Sequence, residues 1–163
     1  MMKNYFCFKF KPFTPTVSIL MMVLFLVPVE IVKAEMLSVN GDKVNLREGP
    51  GRKYTVKWEY GDGFPLTVVK KKGKWVKVED FEGDSGWVHR SLLADNPRMI
   101  VKVNRNKNNG INIREQPGTK RKIIGKAYYG VVFKTIEQRS GWVRVKHSTG
   151  LEGWIKRTLL WGY

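Results

Sequence analysis

Cysteine is almost missing from this 163-residue chain, which has Cys7 and no other. A single thiol excludes an intramolecular disulfide framework and any zinc site built on several thiolates. Histidine is nearly as scarce. His89 and His147 are the whole complement, and neither falls in a metal-ligand pattern such as H-E-x-x-H. Acidic residues are outnumbered, with 14 Asp and Glu against 30 Lys and Arg, for a net charge of +16. The one long apolar run, Thr16 to Val29, is 14 residues, short of the roughly 20 needed to span a bilayer as a helix. The length allows one ordinary domain or two very small ones, since single cores typically occupy about 100 to 150 residues. Apolar residues at 42% and aromatics at 12% are enough to fold a core, so the chain is no disordered polycation.

The apolar run is preceded by Lys3, Lys9 and Lys11 and followed by Val32 and Ala34 at the positions expected before a signal-peptidase cut. Residues 1–34 are therefore expected to be a cleaved secretory signal. No cysteine follows the run, which disfavours a lipid anchor, and no stable membrane anchor is expected after cleavage. The remainder keeps 26 basic and 13 acidic residues, +13, so the basic character belongs to the folded part. Export decides which polyanions such a protein meets: wall and envelope polymers are abundant outside the cytoplasm, and nucleic acid is scarce there.

The chain repeats itself. A shift of 67 residues pairs Asn45, Arg47, Glu48, Pro50 and Gly51 with Asn112, Arg114, Glu115, Pro117 and Gly118. It also pairs Trp75, Val76 and Val78 with Trp142, Val143 and Val145. Gly86, Trp87, Arg90, Leu92 and Leu93 fall on Gly153, Trp154, Arg157, Leu159 and Leu160. From Val44 to Leu93 there are 16 identities in 50 positions without a gap, where unrelated chains would give about three. The two units run over residues 37–94 and 101–161, with a linker at 95–100. Within each, alternating apolar residues (Val44 and Leu46, Leu66 and Val68, Val76 and Val78, Val143 and Val145) predict short strands. Glycine-bearing turns separate them, and no amphipathic pattern predicts a helix. The expected fold class is all-β, two small β-barrels in tandem.

The run Val44-Asn45-Leu46-Arg47-Glu48-Gly49-Pro50-Gly51 and the later Gly86-Trp87-Val88-His89-Arg90-Ser91-Leu92-Leu93 resemble the opening and closing motifs of bacterial SH3-like domains. The run from Ile111 to Gly118 and that from Gly153 to Leu160 repeat both, with Gln116 where the first copy has Gly49. The resemblance implies two SH3-like barrels of five to seven strands. It further implies an exported module that accompanies cell-wall enzymes and binds peptidoglycan or envelope proteins.

Catalytic residues, metal ligands and cofactors are not expected. The mature part has no thiol nucleophile, and the two histidines are not repeat-equivalent. Glu79, Asp80, Glu82 and Asp84 form acid pairs of the kind glycosidases use, but the second copy has Lys146, His147, Thr149 and Leu151 there. Their expected role is to keep an exposed hairpin soluble. Trp75, Trp87, Trp142 and Trp154 are expected to fill the cores, since rings bury about 150 to 250 Å² each.

Residues that differ between the copies are the better ligand candidates. Tyr54, Trp58 and Tyr60 meet Arg121, Gly125 and Ala127 in the second copy. These aromatics would line a groove that stacks on sugars or peptide stems, or else form an extra packing face or an interface between the barrels. Charge is unequal: residues 37–94 carry 11 basic and 8 acidic residues, residues 101–160 carry 14 and 3. Lys120, Arg121, Lys122 and Lys126 lie in and after the turn beyond Pro117, and Arg105 and Lys107 precede the opening strand, a pattern that predicts a basic face. The expected partner is peptidoglycan or another anionic envelope polymer, with a periplasmic adaptor for an envelope protein as the alternative. The export signal argues against nucleic acid. Arg47 and Arg114 are expected to brace the turn that follows them.

Overall fold

The computed structural model describes residues 34–106 and 108–163. The expected export signal, apart from Ala34, lies outside these residues, as do Cys7 and Lys107. The first unit contains β1 (Met36–Val39), β2 (Val44–Arg47), β3 (Val56–Tyr60), β4 (Pro65–Lys72), β5 (Trp75–Glu79), β6 (Ser85–His89) and β7 (Leu93–Ala94). The second contains β8 (Arg98–Val101), β9 (Ile111–Arg114), β10 (Ile123–Ala127), β11 (Val132–Arg139), β12 (Trp142–Lys146), β13 (Glu152–Lys156) and β14 (Leu160–Gly162). One turn of 3-10 helix, at Arg90–Leu92 and again at Arg157–Leu159, precedes the last strand of each unit. In the expected linker, residues 95–100, strand β8 already begins at Arg98 and pairs with β11.

The two sheets have one topology. Their orders are β3-β2-β6-β5-β4-β1-β7 and β10-β9-β13-β12-β11-β8-β14, so each strand maps onto the strand seven places later. Even the irregularities repeat. The ladder slips between Val68 and Lys70 and between Thr135 and Glu137, positions 67 apart. A bulge strengthens the local twist, which helps so short a sheet curl around its interior. The described residues are therefore two SH3-like barrels, as the repeat and its motifs imply.

Each barrel has its own apolar core. Leu37, Val44, Leu46, Leu66, Val76, Val78 and Val88 fill the first; Met99, Ile113, Phe133, Val143, Val145 and Ile155 fill the second. The strand period of two explains the choice. Val76 and Val78 point inward, so Trp75 and Lys77 must point outward, and the same parity places Trp87 outside Val88. This corrects, for three of the four tryptophans, the expectation that they fill the cores. Trp75, Trp87 and Trp142 are half-buried on the outer face, and Trp154, though buried, is not part of the apolar cluster.

Where the barrels meet, aromatic rings gather around one acid. Phe81 lies 6.1 Å from Phe64 of its own barrel, and 5.6 and 6.0 Å from Tyr129 and Trp161 of the second. Beside them the Glu82 carboxylate accepts from Arg105 Nη1 at 2.6 Å and from the Tyr129 hydroxyl. Neither core is continuous with the other; the junction is a separate, ring-lined contact.

Candidate functional site

Of the three aromatics singled out in the first copy, two are accessible. Trp58, near the middle of edge strand β3, is 61% exposed, with Val56 beside it also exposed. Tyr54 is 38% exposed because its ring lies over the turn at Gly49 and Gly51. A Cβ on Gly49 would stand 2.5 Å from that ring, and one on Gly51 would stand 3.3 Å from it. Glycine is needed at 49 for close approach, without any unusual backbone angle. The second copy has Arg121 in place of Tyr54. With no ring to accommodate, Gln116 is tolerated at the matching position.

Tyr60 departs from the expected groove. It is 2% exposed, because the last residue of β3 turns inward and its ring packs 4.5 Å from Phe64. Its hydroxyl donates to Asp80 Oδ2 at 2.8 Å. Burial, then that hydrogen bond and the nearby carboxylates, push the Tyr60 hydroxyl far above its ordinary value. With Trp58, Phe81 and Tyr129, Tyr60 nevertheless lines a cleft of about 280 Å³ at the barrel junction.

The acidic hairpin is also more than a soluble tip. Asp80 is 7% exposed, and its Oδ1 accepts the turn amides of Glu82 and Asp84 at 2.9 and 3.0 Å. An Asp that ties its own turn in this way sets the backbone's path. In the second barrel His147 occupies this place, and its Nδ1 accepts the Thr149 amide at 3.3 Å. The substitution is coordinated: Tyr60 with Asp80 in one copy, Ala127 with His147 in the other. Glu82, the next acid, serves the junction. Burial, followed by its bond to Glu82, pushes the Tyr129 hydroxyl up to about 12, against a smaller opposing effect of Arg105.

Lys120, Arg121, Lys122 and Lys126 are all exposed. The first three occupy the turn before β10 and Lys126 lies within that strand. Arg105 is occupied elsewhere, on Glu82. Arg47 Nη1 donates to the carbonyls of Tyr54 and Arg52 at 2.8 and 3.2 Å. Arg114 Nη1 reaches the carbonyl of Arg121 at 2.5 Å. Both arginines thus clamp the long turn, the bracing role expected of them.

The histidines make local contacts. His89 Nδ1 lies 2.7 Å from Ser91 Oγ, with the ring edge-on to Trp75 at 5.3 Å. The second copy has Lys156 and Thr158 at these places. Among the described residues no carboxylate orients either histidine, and no group of three or more His, Cys, Asp or Glu is arranged to hold a metal. No described helix is long and apolar enough to cross a membrane.

The outward-facing residues that both copies share, chiefly Asn45 with Trp75 and Asn112 with Trp142, are not among the expected ligand contacts; the tryptophans are expected in the cores and the asparagines only as part of the repeat. The signal was present: these positions are identical across the repeat although strand parity points them away from the core.

A sequence profile of the bacterial SH3 domain matches residues 40–95 and again 107–162. Among curated proteins, "Putative N-acetylmuramoyl-L-alanine amidase YrvJ" of Bacillus subtilis (strain 168) is 27% identical over 120 residues. That match takes in 70% of this chain and 23% of the relative, so the chain spans about a quarter of the curated protein's length. Among solved structures, an NlpC/P60 family protein from Bacillus cereus ATCC 10987 aligns with a TM-score of 0.36 at 16% identity. It covers 79% of this chain and 56% of that one. NlpC1 from Trichomonas vaginalis aligns with a TM-score of 0.35 at 10% identity, covering 78% and 45%.

Proposed function

This chain belongs to the bacterial SH3 domain family, with two copies of the domain, and on that premise we propose that it is a non-enzymatic cell-envelope binding module. Its ligand is peptidoglycan or another anionic wall polymer, held by the cationic face of the second barrel. The observation that carries this reading is the charge of residues 101–160, 14 basic against 3 acidic, with Lys120, Arg121, Lys122 and Lys126 all facing solvent. Such an excess adds self-repulsion without aiding the fold, and it concentrates anionic polymer at the surface. Two further facts support the wall as the setting: the name of the curated relative is that of an amidase, and the match takes in 23% of it, as a targeting part would.

Co-sedimentation with purified peptidoglycan sacculi tests this. Binding is expected at low ionic strength and to weaken as salt rises, because exposed charges are screened over about 10 Å at 0.1 M. Lys120→Glu, Arg121→Glu and Lys122→Glu together should abolish most of it. No binding at low salt would overturn the reading.

One observation favours an adaptor role instead. Val56 and Trp58 are exposed on β3, an edge strand whose free backbone groups suit pairing with another protein. That reading expects a discrete partner, lost with Trp58→Ala and insensitive to salt.

A further inference from the structure

Two separate clefts in this protein are one cleft built twice. The first, about 190 Å³, lies over the outer face where β2, β6 and β5 adjoin and is lined by Asn45, Arg47, Trp75 and Leu92 among others. The second, about 230 Å³, is lined by Asn112, Arg114, Trp142 and Leu159. Each of these residues lies 67 positions beyond its counterpart. Three more lining positions correspond but differ: Lys43 with Gly110, Arg52 with Thr119, and His89 with Lys156. Four of seven paired positions are therefore identical, against 16 of 50 along the repeat.

Arg47 and Arg114 brace their turns and Leu159 packs against the second core, but packing does not account for the retained asparagines. Asn45 and Asn112 point away from the core, between inward Val44 and Leu46 or Ile111 and Ile113. Among the described residues neither side-chain amide has a hydrogen-bond partner. Arg47 and Arg114 brace their turns through Nη1 alone, leaving the other guanidinium donors turned to no protein acceptor. Trp75 and Trp142 show an outer indole flank beside these polar groups. An unpaired amide, a partly free guanidinium and an aromatic flank, kept in both copies, make a recognition surface: the ring accepts an apolar face, the amide donates and accepts, and the cation takes a carboxylate.

We infer that each barrel carries one copy of a single ligand subsite, and that the two subsites engage successive repeat units of one wall polymer. The inference rests on the wall-binding reading above and names its site. The unit recognised combines an acylamino group and a carboxylate with a ring or chain that has an apolar face, as a glycan bearing peptide stems does. The subsites are tuned differently, with Lys43 and Arg52 making the first richer in cations, His89 adding an imidazole there, and Lys156 serving the second. The junction of Phe81, Tyr129, Glu82 and Arg105 ties the barrels together, so the second contact forms within an already bound complex. Linked sites of this kind raise overall affinity by about 10² to 10⁴ without any new contact.

The test uses the intact protein with Asn45→Ala, Asn112→Ala and the pair, chosen because these amides support no internal hydrogen bond, and with Trp75→Ala plus Trp142→Ala as a second set. Sacculus binding is expected to fall about tenfold or more in each single asparagine variant, and by roughly 100-fold or more in the pair. Titration with a soluble disaccharide-tetrapeptide should perturb the indole N–H resonances of Trp75 and Trp142 together in the parent protein. In a single asparagine variant one of the two signals should stop responding. A folded double variant that binds sacculi like the parent, with unmoved indole signals, would overturn the inference. If the parent binds and only reversal of Lys120, Arg121 and Lys122 weakens it, the subsites are refuted while the wall-binding reading stands. A parent that fails to bind sacculi at low salt refutes both.

Discussion

Replacing Asp80 by Ala should nearly unfold the first barrel. The carboxylate accepts three hydrogen bonds, from the Tyr60 hydroxyl at 2.8 Å and from the amides of Glu82 and Asp84 at 2.9 and 3.0 Å. The hydroxyl is buried and would be left without a partner, which costs about 1 to 3 kcal/mol. The two amides lie near solvent and would turn to water, so losing their bonds costs about 1 kcal/mol each. The sum is about 3 to 5 kcal/mol. A unit of some 60 residues is stable by only about 3 to 9 kcal/mol, so the loss is a large fraction of what holds it. The second barrel has His147 at this position and should keep its protection. Amide hydrogen exchange followed by NMR reads the two barrels separately, and urea denaturation gives the cost. Tyr60→Phe removes the orphaned hydroxyl, so in that background Asp80→Ala should cost less by about 1 to 3 kcal/mol. Equal costs in both backgrounds, or a loss under about 1 kcal/mol in the parent, would refute the reasoning.

Gly49→Ala should cost about 1 to 3 kcal/mol, because its new methyl would sit 2.5 Å from the Tyr54 ring and force that ring aside; in a Tyr54→Ala background the same change should be nearly neutral by urea denaturation. Stability should also fall in alkali. Tyr129 holds its proton up to about 12 in the folded protein, above the ordinary value near 10 for an unfolded chain, so its contribution is complete below pH 10 and is lost as pH rises through 12. Tyr60 acts in the same direction. Urea midpoints at pH 9 and pH 11.5 should show the drop, and Tyr129→Phe should reduce it; an unchanged midpoint would count against both assignments.

Much of this could be read without coordinates. The 67-residue repeat, the inward valines and the placement of turns all follow from residue identity and a period of two. That same period carried the correction about the tryptophans, since Trp75 adjoins Val76 and cannot share its face. The coordination of Gly49 with Tyr54, and of Tyr60 with Asp80, was not legible, because each pair depends on where a loop or hairpin folds back. Treating shared residues as explained by the shared fold hid Asn45 and Asn112. Identity across a repeat has two causes, packing and ligand, and burial separates them.

What the chain determined by itself is therefore local: which residues alternate, where glycine lets the backbone turn, and how unequally charge is divided between the copies. Covalent strand geometry makes those properties independent of distant partners. The tertiary structure alone decided that Asn45, Trp75 and Leu92, far apart along the chain, line one cleft, that Tyr60 faces inward, and that Glu82 ties one barrel to the other. Those outcomes depend on the strand order β2-β6-β5 and on the curl of the sheet, which bring remote residues together through pairings no local pattern encodes.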